Sequence, residues 1–240
     1  MRRRFFVDEV RNGHAQIAGE EARHLTRVLR VEPGQRYEIS DNREVYLAEI
    51  EIARKESVVF RTLEKLPAAP PSARIELYAA LIKFDRFEWI VEKATELGVT
   101  EIVPVEATRS DRGLGKAAGK RVERWRRIAL EASQQSRRAV LPEIAEPISL
   151  NDVIARTASY RYALDENPGA ATLLNALPAV RTAQDTVAIL TGPEGGWTKE
   201  ERASFAAAGW APVSLGPLVL RAETAVIAAL AVISQAWLLN

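Results

Sequence analysis

Three glycines within five residues, Gly192, Gly195 and Gly196, surround one carboxylate, Glu194, and one proline, Pro193. Two adjacent glycines let the backbone approach a ligand with no Cβ in the way. The loop is not built for phosphate. It lacks both the GK[ST] ending and the GxGxxG spacing, and Glu194 would repel a pyrophosphate at close range. A neutral or partly cationic ligand suits it. Taken alone, the glycine pair reads equally well as a turn that serves folding only. A second cluster follows two dozen residues on: Leu215, Gly216, Leu218, Leu220, then Arg221, Glu223, Thr224 and Ala225. Its guanidinium, Arg221, is a candidate cation for stabilising developing negative charge. Glu194 is a candidate base, or a partner for a cationic ligand. An ion pair between the two loops, Glu194 to Arg221, is the structural alternative for both, and Glu223 and Thr224 could simply cap the final helix.

The elements around these residues give them a place. Val187 to Leu190 has the length and branching of a buried strand. Thr198 with Glu201 forms a capping box that opens a helix. The glycines therefore sit at the carboxyl end of a strand, where ligands bind in open α/β sheets. Val213 to Gly216 reads as a short strand and a break. Pro217 to Leu220 reads as a turn, and an alanine-rich helix is expected to run on to Leu239.

Together the stretches GPEGGW and LGPLVLRAETA resemble the two ligand loops of the SPOUT methyltransferases, and specifically the RsmE family. The resemblance implies methylation of the N3 nitrogen of a uridine in 16S ribosomal RNA, within the small ribosomal subunit, with S-adenosylmethionine as donor. It implies a mostly parallel α/β sheet with a C-terminal trefoil knot, preceded by a small PUA-like β-barrel. It assigns Leu190, Thr191, Gly192, Pro193, Glu194, Gly195 and Gly196, with Leu215, Gly216, Leu218, Leu220, Glu223, Thr224 and Ala225, to the donor. It also implies a homodimer. A SPOUT enzyme acting on another RNA, a non-catalytic RNA-binding protein, and an α/β enzyme using a nucleotide cofactor are the alternatives.

Composition narrows the field. The chain of 240 residues has no cysteine, which excludes disulfides and thiolate chemistry. Its two histidines, His14 and His24, lie far from the glycine loops, so no metal is expected. The N-terminal residues lack the apolar core of a signal peptide, and the last helix is too short and alanine-rich for a membrane span. The expectation is a cytoplasmic protein.

Residues 1–68 read as a strand-rich domain: Phe5 to Val7, Tyr37 to Ser40, Val45 to Ile52 and Val58 to Leu63. Tyr46, Ala48, Ile50 and Ile52 alternate as the buried side of one strand. A helix is expected from Glu20 to Val31, with Leu25, Val28 and Leu29 inward and His24, Arg27 and Arg30 on another face. The proline-rich stretch Leu66 to Ala73 is the expected linker. From residue 73 to 240, strands alternate with helices, which means a largely parallel sheet covered on both faces. Ile75 to Ile82, Glu101 to Glu106 and Tyr160 to Leu164 are strands. Asp85 with Glu88, and Ser149 with Asp152, read as capping boxes. Between Arg109 and Arg138 stand ten basic and three acidic residues, a net +7 in a chain of net +1. Its first part, Ser110 to Gly119, reads as a mobile glycine-rich loop. From Lys120 a helix carries an apolar stripe of Val122, Trp125, Ala129 and Ala132. A one-signed, arginine-rich run points to nucleic acid over the alternative of a solvated face. Arg109 and Arg112 are its candidate RNA contacts, together with Arg4, His24, Arg27, Arg30 and Lys83; the segment EASQQSRR, Glu131 to Arg138, is also similar to the RsmE family's motif, and that resemblance implies Gln134, Arg137 and Arg138 as functional positions. The final helix is apolar around most of its circumference, Trp237 included, which requires cover on all sides and points to a second subunit.

Overall fold

The computed structural model describes residues 3–67, 72–167 and 169–238. Four residues of the expected linker, 68–71, and residue 239 of the expected last helix lie outside them. The chain divides into two compact units: Met1–Pro70 with Leu130–Leu141, and Pro71–Ala129 with Pro142–Asn240.

The first unit is a five-stranded sheet around one core. Its elements are β1 (Arg4–Phe6), β2 (His14–Ala18), helix α1 (Gly19–Arg27), β3 (Arg36–Ser40), β4 (Val45–Arg54) and β5 (Ser57–Lys65). The strand order is β1-β3-β4-β5-β2, with the β1–β3 pair parallel and the other pairs among the described residues antiparallel. Phe5, Ile17, Leu25, Ile39, Ile50 and Phe60 meet in its interior, so all five strands and the helix contribute. Strand β2 is an element that the sequence reading omits. Its pattern is strict: Ala15 and Ile17 are buried while His14, Gln16 and Ala18 face outward.

Two expectations need correction here. Strand β4 does not alternate along its length. Its pairing with β5 shifts register at Leu47/Ala48 and at Ile50/Ile52. Each irregularity turns the strand over, so Leu47 is buried and Ile52 is exposed. Helix α1 ends at Arg27, not Val31. Its buried face is Ala22 and Leu25, and Val28, now the C-cap, is 64% exposed. Arg30 has φ +51, a left-handed conformation that no helix can continue through.

The second unit is built on an eight-stranded sheet. It comprises β6 (Arg74–Ala80), α2 (Phe84–Glu96), β7 (Glu101–Glu106), α3 (Leu114–Ala118), α4 (Val122–Ser136, whose last residues count with the first unit), β8 (Glu143–Ile144), β9 (Ile148–Ser149), α5 (Leu150–Ile154), β10 (Tyr160–Leu164), β11 (Ala171–Thr172), α6 (Leu173–Ala176), β12 (Thr186–Thr191), α7 (Lys199–Ala207), β13 (Ala211–Ser214) and α8 (Ala222–Leu238). The order is β11-β13-β10-β12-β6-β7-β8, with β9 also on β7. Every pair among the described residues is parallel. Strand β12 explains why its sequence is apolar throughout. Val187 and Ile189 enter the core shared with α2 and α8, while Ala188 and Leu190 enter the core shared with α5 and α7. A strand covered on both faces has no polar side.

The capping boxes at Ser149–Asp152 and Thr198–Glu201 are both present. The one expected at Asp85–Glu88 is absent. Helix α2 starts at Phe84 with Lys83 as an uncapped N-cap, and Glu88 instead binds Arg124 at 2.6 and 2.8 Å. Part of Ser110 to Gly119, expected to be a loop, is helix α3. In α8, Trp237 is only 5% exposed within its own chain. Its indole donates to Asp185 at 2.9 Å and its ring packs on Tyr160. It is therefore a core residue, not part of an uncovered face. Ile227 and Val232 are half-buried, and Leu238 is exposed.

Candidate functional site

The carboxyl ends of β13, β10 and β12, neighbours in the sheet, carry three turns around one cleft of about 420 Å³, within the size range of small-molecule sites. The first turn follows β12. The Gly196 N–H bonds the Pro193 carbonyl at 2.9 Å, and Gly196 has φ +67. A Cβ there would be strained and would lie 2.9 Å from Glu166. Trp197 folds beneath the turn. It is buried, donates to the Leu164 carbonyl at 2.9 Å, and meets Phe205 edge-on. A Cβ on Gly192 would come 3.0 Å from its ring, tighter than ordinary contact, so a larger residue would press on the buried indole.

The second turn follows β13. The Ser214 hydroxyl donates to the Gly216 carbonyl at 3.0 Å and accepts the Gly216 N–H at 3.1 Å. Leu218 and Val219 then stand in solvent, 78% and 79% exposed. The Arg221 carbonyl accepts the Ala225 N–H at 2.9 Å as α8 begins. The Arg221 side chain is exposed at the cleft and makes no ion pair or hydrogen bond among the described residues.

The third turn, Leu164-Asp165-Glu166 after β10, is missing from the sequence reading. Asp165 is buried and accepts Arg202 Nε at 2.8 Å and the Asn167 N–H at 3.1 Å. Arg202 also donates to the Trp197 carbonyl at 2.7 Å and lies 3.6 Å from Glu166. The hydrogen bond to Asp165 holds the Arg202 guanidinium above its ordinary value. One side chain from α7 thus ties the β10 turn to the β12 turn. The available signal was an acidic pair at the end of a strand already recognised.

Of the residues expected to hold a ligand, Thr191, Gly192, Pro193, Glu194, Gly196, Leu215, Gly216, Leu218, Leu220, Arg221 and Ala225 line the cleft. Leu190 is buried in the strand beneath it. Gly195 faces Arg109, whose Cβ would lie 3.2 Å from an added Cβ, and its carbonyl accepts Arg109 Nη1 at 2.8 Å. Glu223 is buried at the start of α8, and Thr224 is exposed outside the lining. The ion pair between Glu194 and Arg221, given above as the alternative to their chemical roles, is absent among the described residues. Glu194 pairs instead with Arg86 of α2, which also lines the cleft. The lining combines aliphatic side chains, backbone-rich turns and the carboxylates of Asp165, Glu166 and Glu194. Such a cleft suits a flat, mainly apolar group joined to a positively charged one.

The candidate nucleic-acid residues are distributed as follows. In the first unit His24, Arg27 and Arg30 are exposed. Arg4 is engaged with Glu38 at 2.8 Å and with the Arg137 carbonyl at 2.5 Å. Gln134 donates to Glu21, whose carboxyl is pushed up by burial and partly brought back by that bond. Arg138 donates to the Val140 carbonyl at 3.1 Å, and burial lowers its guanidinium to about 10. In the second unit Lys83 and Arg112 are exposed, while Arg109 holds the glycine turn. Much of the arginine run is paired: Arg124 and Arg121 with Glu88, and Arg126 with Glu123 and Glu146. Among the described residues no cluster of side chains could hold a metal ion.

Comparison with known proteins gives a consistent picture. The family model of the RNA methyltransferase domain matches residues 69–234, and that of the RNA methyltransferase PUA domain matches residues 17–63. Ribosomal RNA small subunit methyltransferase E of Aquifex aeolicus is 31% identical over 232 residues, 95% of this chain and 97% of that protein. The Bacillus subtilis protein of the same name is also 31% identical, over 91% and 88%. Among solved structures, ribosomal RNA small subunit methyltransferase E from Neisseria gonorrhoeae bound to S-adenosyl methionine superposes with a TM-score of 0.87. It is 28% identical, with 99% of this chain and 98% of that one covered. A methyltransferase from Legionella pneumophila in complex with the same cofactor reaches 0.88 at 30% identity, with 98% of each chain covered.

Proposed function

The chain belongs to the RNA methyltransferase family that includes ribosomal RNA small subunit methyltransferase E, and from that premise we propose that it methylates the N3 nitrogen of a uridine in 16S ribosomal RNA, using S-adenosylmethionine. The observation that carries this reading is the cleft itself. Three turns at the carboxyl ends of adjacent parallel strands enclose a space with aliphatic walls and carboxylates, in a chain similar along most of its length to enzymes of that name. The cleft fits the donor's chemistry: Leu215, Leu218 and Leu220 offer apolar surface to a purine, and Glu194 and Glu166 offer negative charge to a sulfonium or ammonium. When bound, S-adenosylmethionine supplies a methyl group already activated for attack.

The protein must then orient the target and manage a proton. A uracil N3 attacks only after losing its imide proton. Arg221, exposed at the cleft with no side-chain partner among the described residues, is placed to stabilise the anionic ring or to grip the nucleotide's phosphate. Glu194 accepts a proton only once Arg86 lets go of it. Trp197, Arg202 and Asp165 fix the turns in place, and such support is what alignment of nucleophile and methyl group requires.

Exposed basic residues of each unit, His24, Arg27 and Arg30 in the first and Lys83 and Arg112 in the second, are the proposed RNA contacts. The 1–68 segment acts as the RNA-holding domain and 73–240 as the methyltransferase domain, with the trefoil knot of the SPOUT class. A second copy covers the stripe of half-buried Ile227 and Ala231 and exposed Leu238 on α8, giving a homodimer. Ribosomal RNA as substrate puts the protein in the cytoplasm, and no helix among the described residues is long and apolar enough to cross a membrane. Calorimetric titration with S-adenosylmethionine tests the reading. Binding is expected, and a purified chain that binds RNA but not this donor would favour a non-catalytic RNA-binding protein.

A further inference from the structure

Arg86 stands on α2 and faces the cleft from outside the two glycine turns. Its Nη1 is paired with Glu194. Its Nε lies 4.0 Å from Oε1 of Glu223, in the first turn of α8. Glu223 is buried, and its second oxygen, Oε2, is shielded from solvent and has no hydrogen-bond partner among the described residues. Two carboxylates therefore compete for one guanidinium. The partly exposed one, in the lining, holds it. The buried one, where an unmet acceptor costs most, has only a distant 4.0 Å contact with it and no hydrogen bond from it. A guanidinium has five N–H donors in a fixed fork, so a modest swing of Arg86 would satisfy Glu223 and free Glu194.

We propose that Arg86 is a positioning residue that exchanges Glu194 for Glu223 when a cationic ligand enters, and that this exchange lowers the cost of freeing Glu194 for a sulfonium methyl donor, a cost that its neutral thioether product does not meet. The proposal rests on the cleft being the donor site. With no ligand, Arg86 neutralises Glu194. A positive charge arriving beside Glu194 takes over that role and repels the guanidinium, which finds its second acceptor in Glu223. A ligand neutral at sulfur exerts no such repulsion and leaves the Arg86–Glu194 pair closed. Methyl transfer removes the positive charge from sulfur, so the same exchange run backwards favours release of the product.

The test is calorimetry of the full chain with S-adenosylmethionine and with S-adenosylhomocysteine, read as the ratio of the two affinities. The wild type is expected to favour the methyl donor. Glu223→Gln, nearly isosteric, leaves Arg86 without a charged alternative and should lower the preference about three- to fivefold, the size of a partly exposed ion pair, with the thioether affinity unchanged. Arg86→Met should raise the preference by a similar factor, and Glu194→Gln should lower it. A purely structural Arg86 would shift both affinities together. A ratio unmoved by Glu223→Gln overturns the exchange while the donor site stands. A wild type that binds neither compound overturns the site, and the exchange with it.

Discussion

Arg202→Met is the most informative single change to the cleft's framework. The substitution keeps the aliphatic stem and removes the guanidinium that joins Asp165, the Trp197 carbonyl and Glu166. Asp165 has a side chain only 4% exposed, so it is left as a buried carboxylate without a cation. Breaking a buried pair in this way costs ~3–5 kcal/mol in the general case. Two features reduce that figure here. Arg202 is itself 29% exposed, and Asp165 keeps the Asn167 N–H at 3.1 Å. A loss of ~2–3 kcal/mol follows, and at ~2–4 °C per kcal/mol for a chain of this size the Tm should fall by roughly 5–10 °C. Donor affinity should fall as well, because the β10 and β12 turns lose their shared tie. Differential scanning calorimetry, with and without S-adenosylmethionine, reads both effects. Adding Asp165→Asn in the same chain should recover part of the stability, since the uncompensated charge disappears. A single variant melting within about 1 °C of wild type with unchanged donor affinity would refute the role given to Arg202.

Other perturbations bear on separate parts of the structure. Glu21→Gln should raise the Tm at neutral pH and change it little in acid. Burial raises the Glu21 carboxyl in the folded state, so its contribution is favourable below its unfolded value and is lost as the pH rises through the folded one; a pH series of melting curves checks the sign. RNA affinity should fall steeply with salt. Arg112→Ala should reduce the slope of log affinity against log salt by about one, whereas Arg124→Ala, whose guanidinium is taken by Glu88, should leave it in place. Trp237→Arg should unfold the second unit, because it buries a charge where an indole now bonds Asp185. Ile227→Arg should leave the fold intact and yield monomers in sedimentation equilibrium.

The parts of this molecule legible in its sequence are those set by neighbouring residues. Strand β12 announces itself by an unbroken apolar run because both its faces are covered. The helix after it announces itself through Thr198 and Glu201, three residues apart. What stayed hidden depends on partners far along the chain. Glu194 and Arg86 are separated by 108 positions, and Trp197 and the Leu164 carbonyl by 33, so no local pattern hints at either. The pairing of Arg121 and Arg124 stayed hidden because their counter-charge, Glu88, lies on another helix. The false capping box at Asp85 and Glu88 has the same origin, since a spacing rule cannot tell that the glutamate is already engaged elsewhere. The overrun of α1 has a different cause: Arg30 adopts a left-handed backbone, which glycine would have signalled and arginine does not.

The central claim is that this cleft methylates a uridine of 16S ribosomal RNA at N3. Mass spectrometry of nucleosides from that RNA tests it most directly, in a strain lacking the protein and in the same strain with wild type or Arg221→Ala restored. The account predicts that 3-methyluridine disappears on deletion, returns with wild type, and stays absent or strongly reduced with Arg221→Ala. Unaltered 3-methyluridine in the deletion strain would contradict it, and a modification lost from another RNA instead would redirect the enzyme to that substrate.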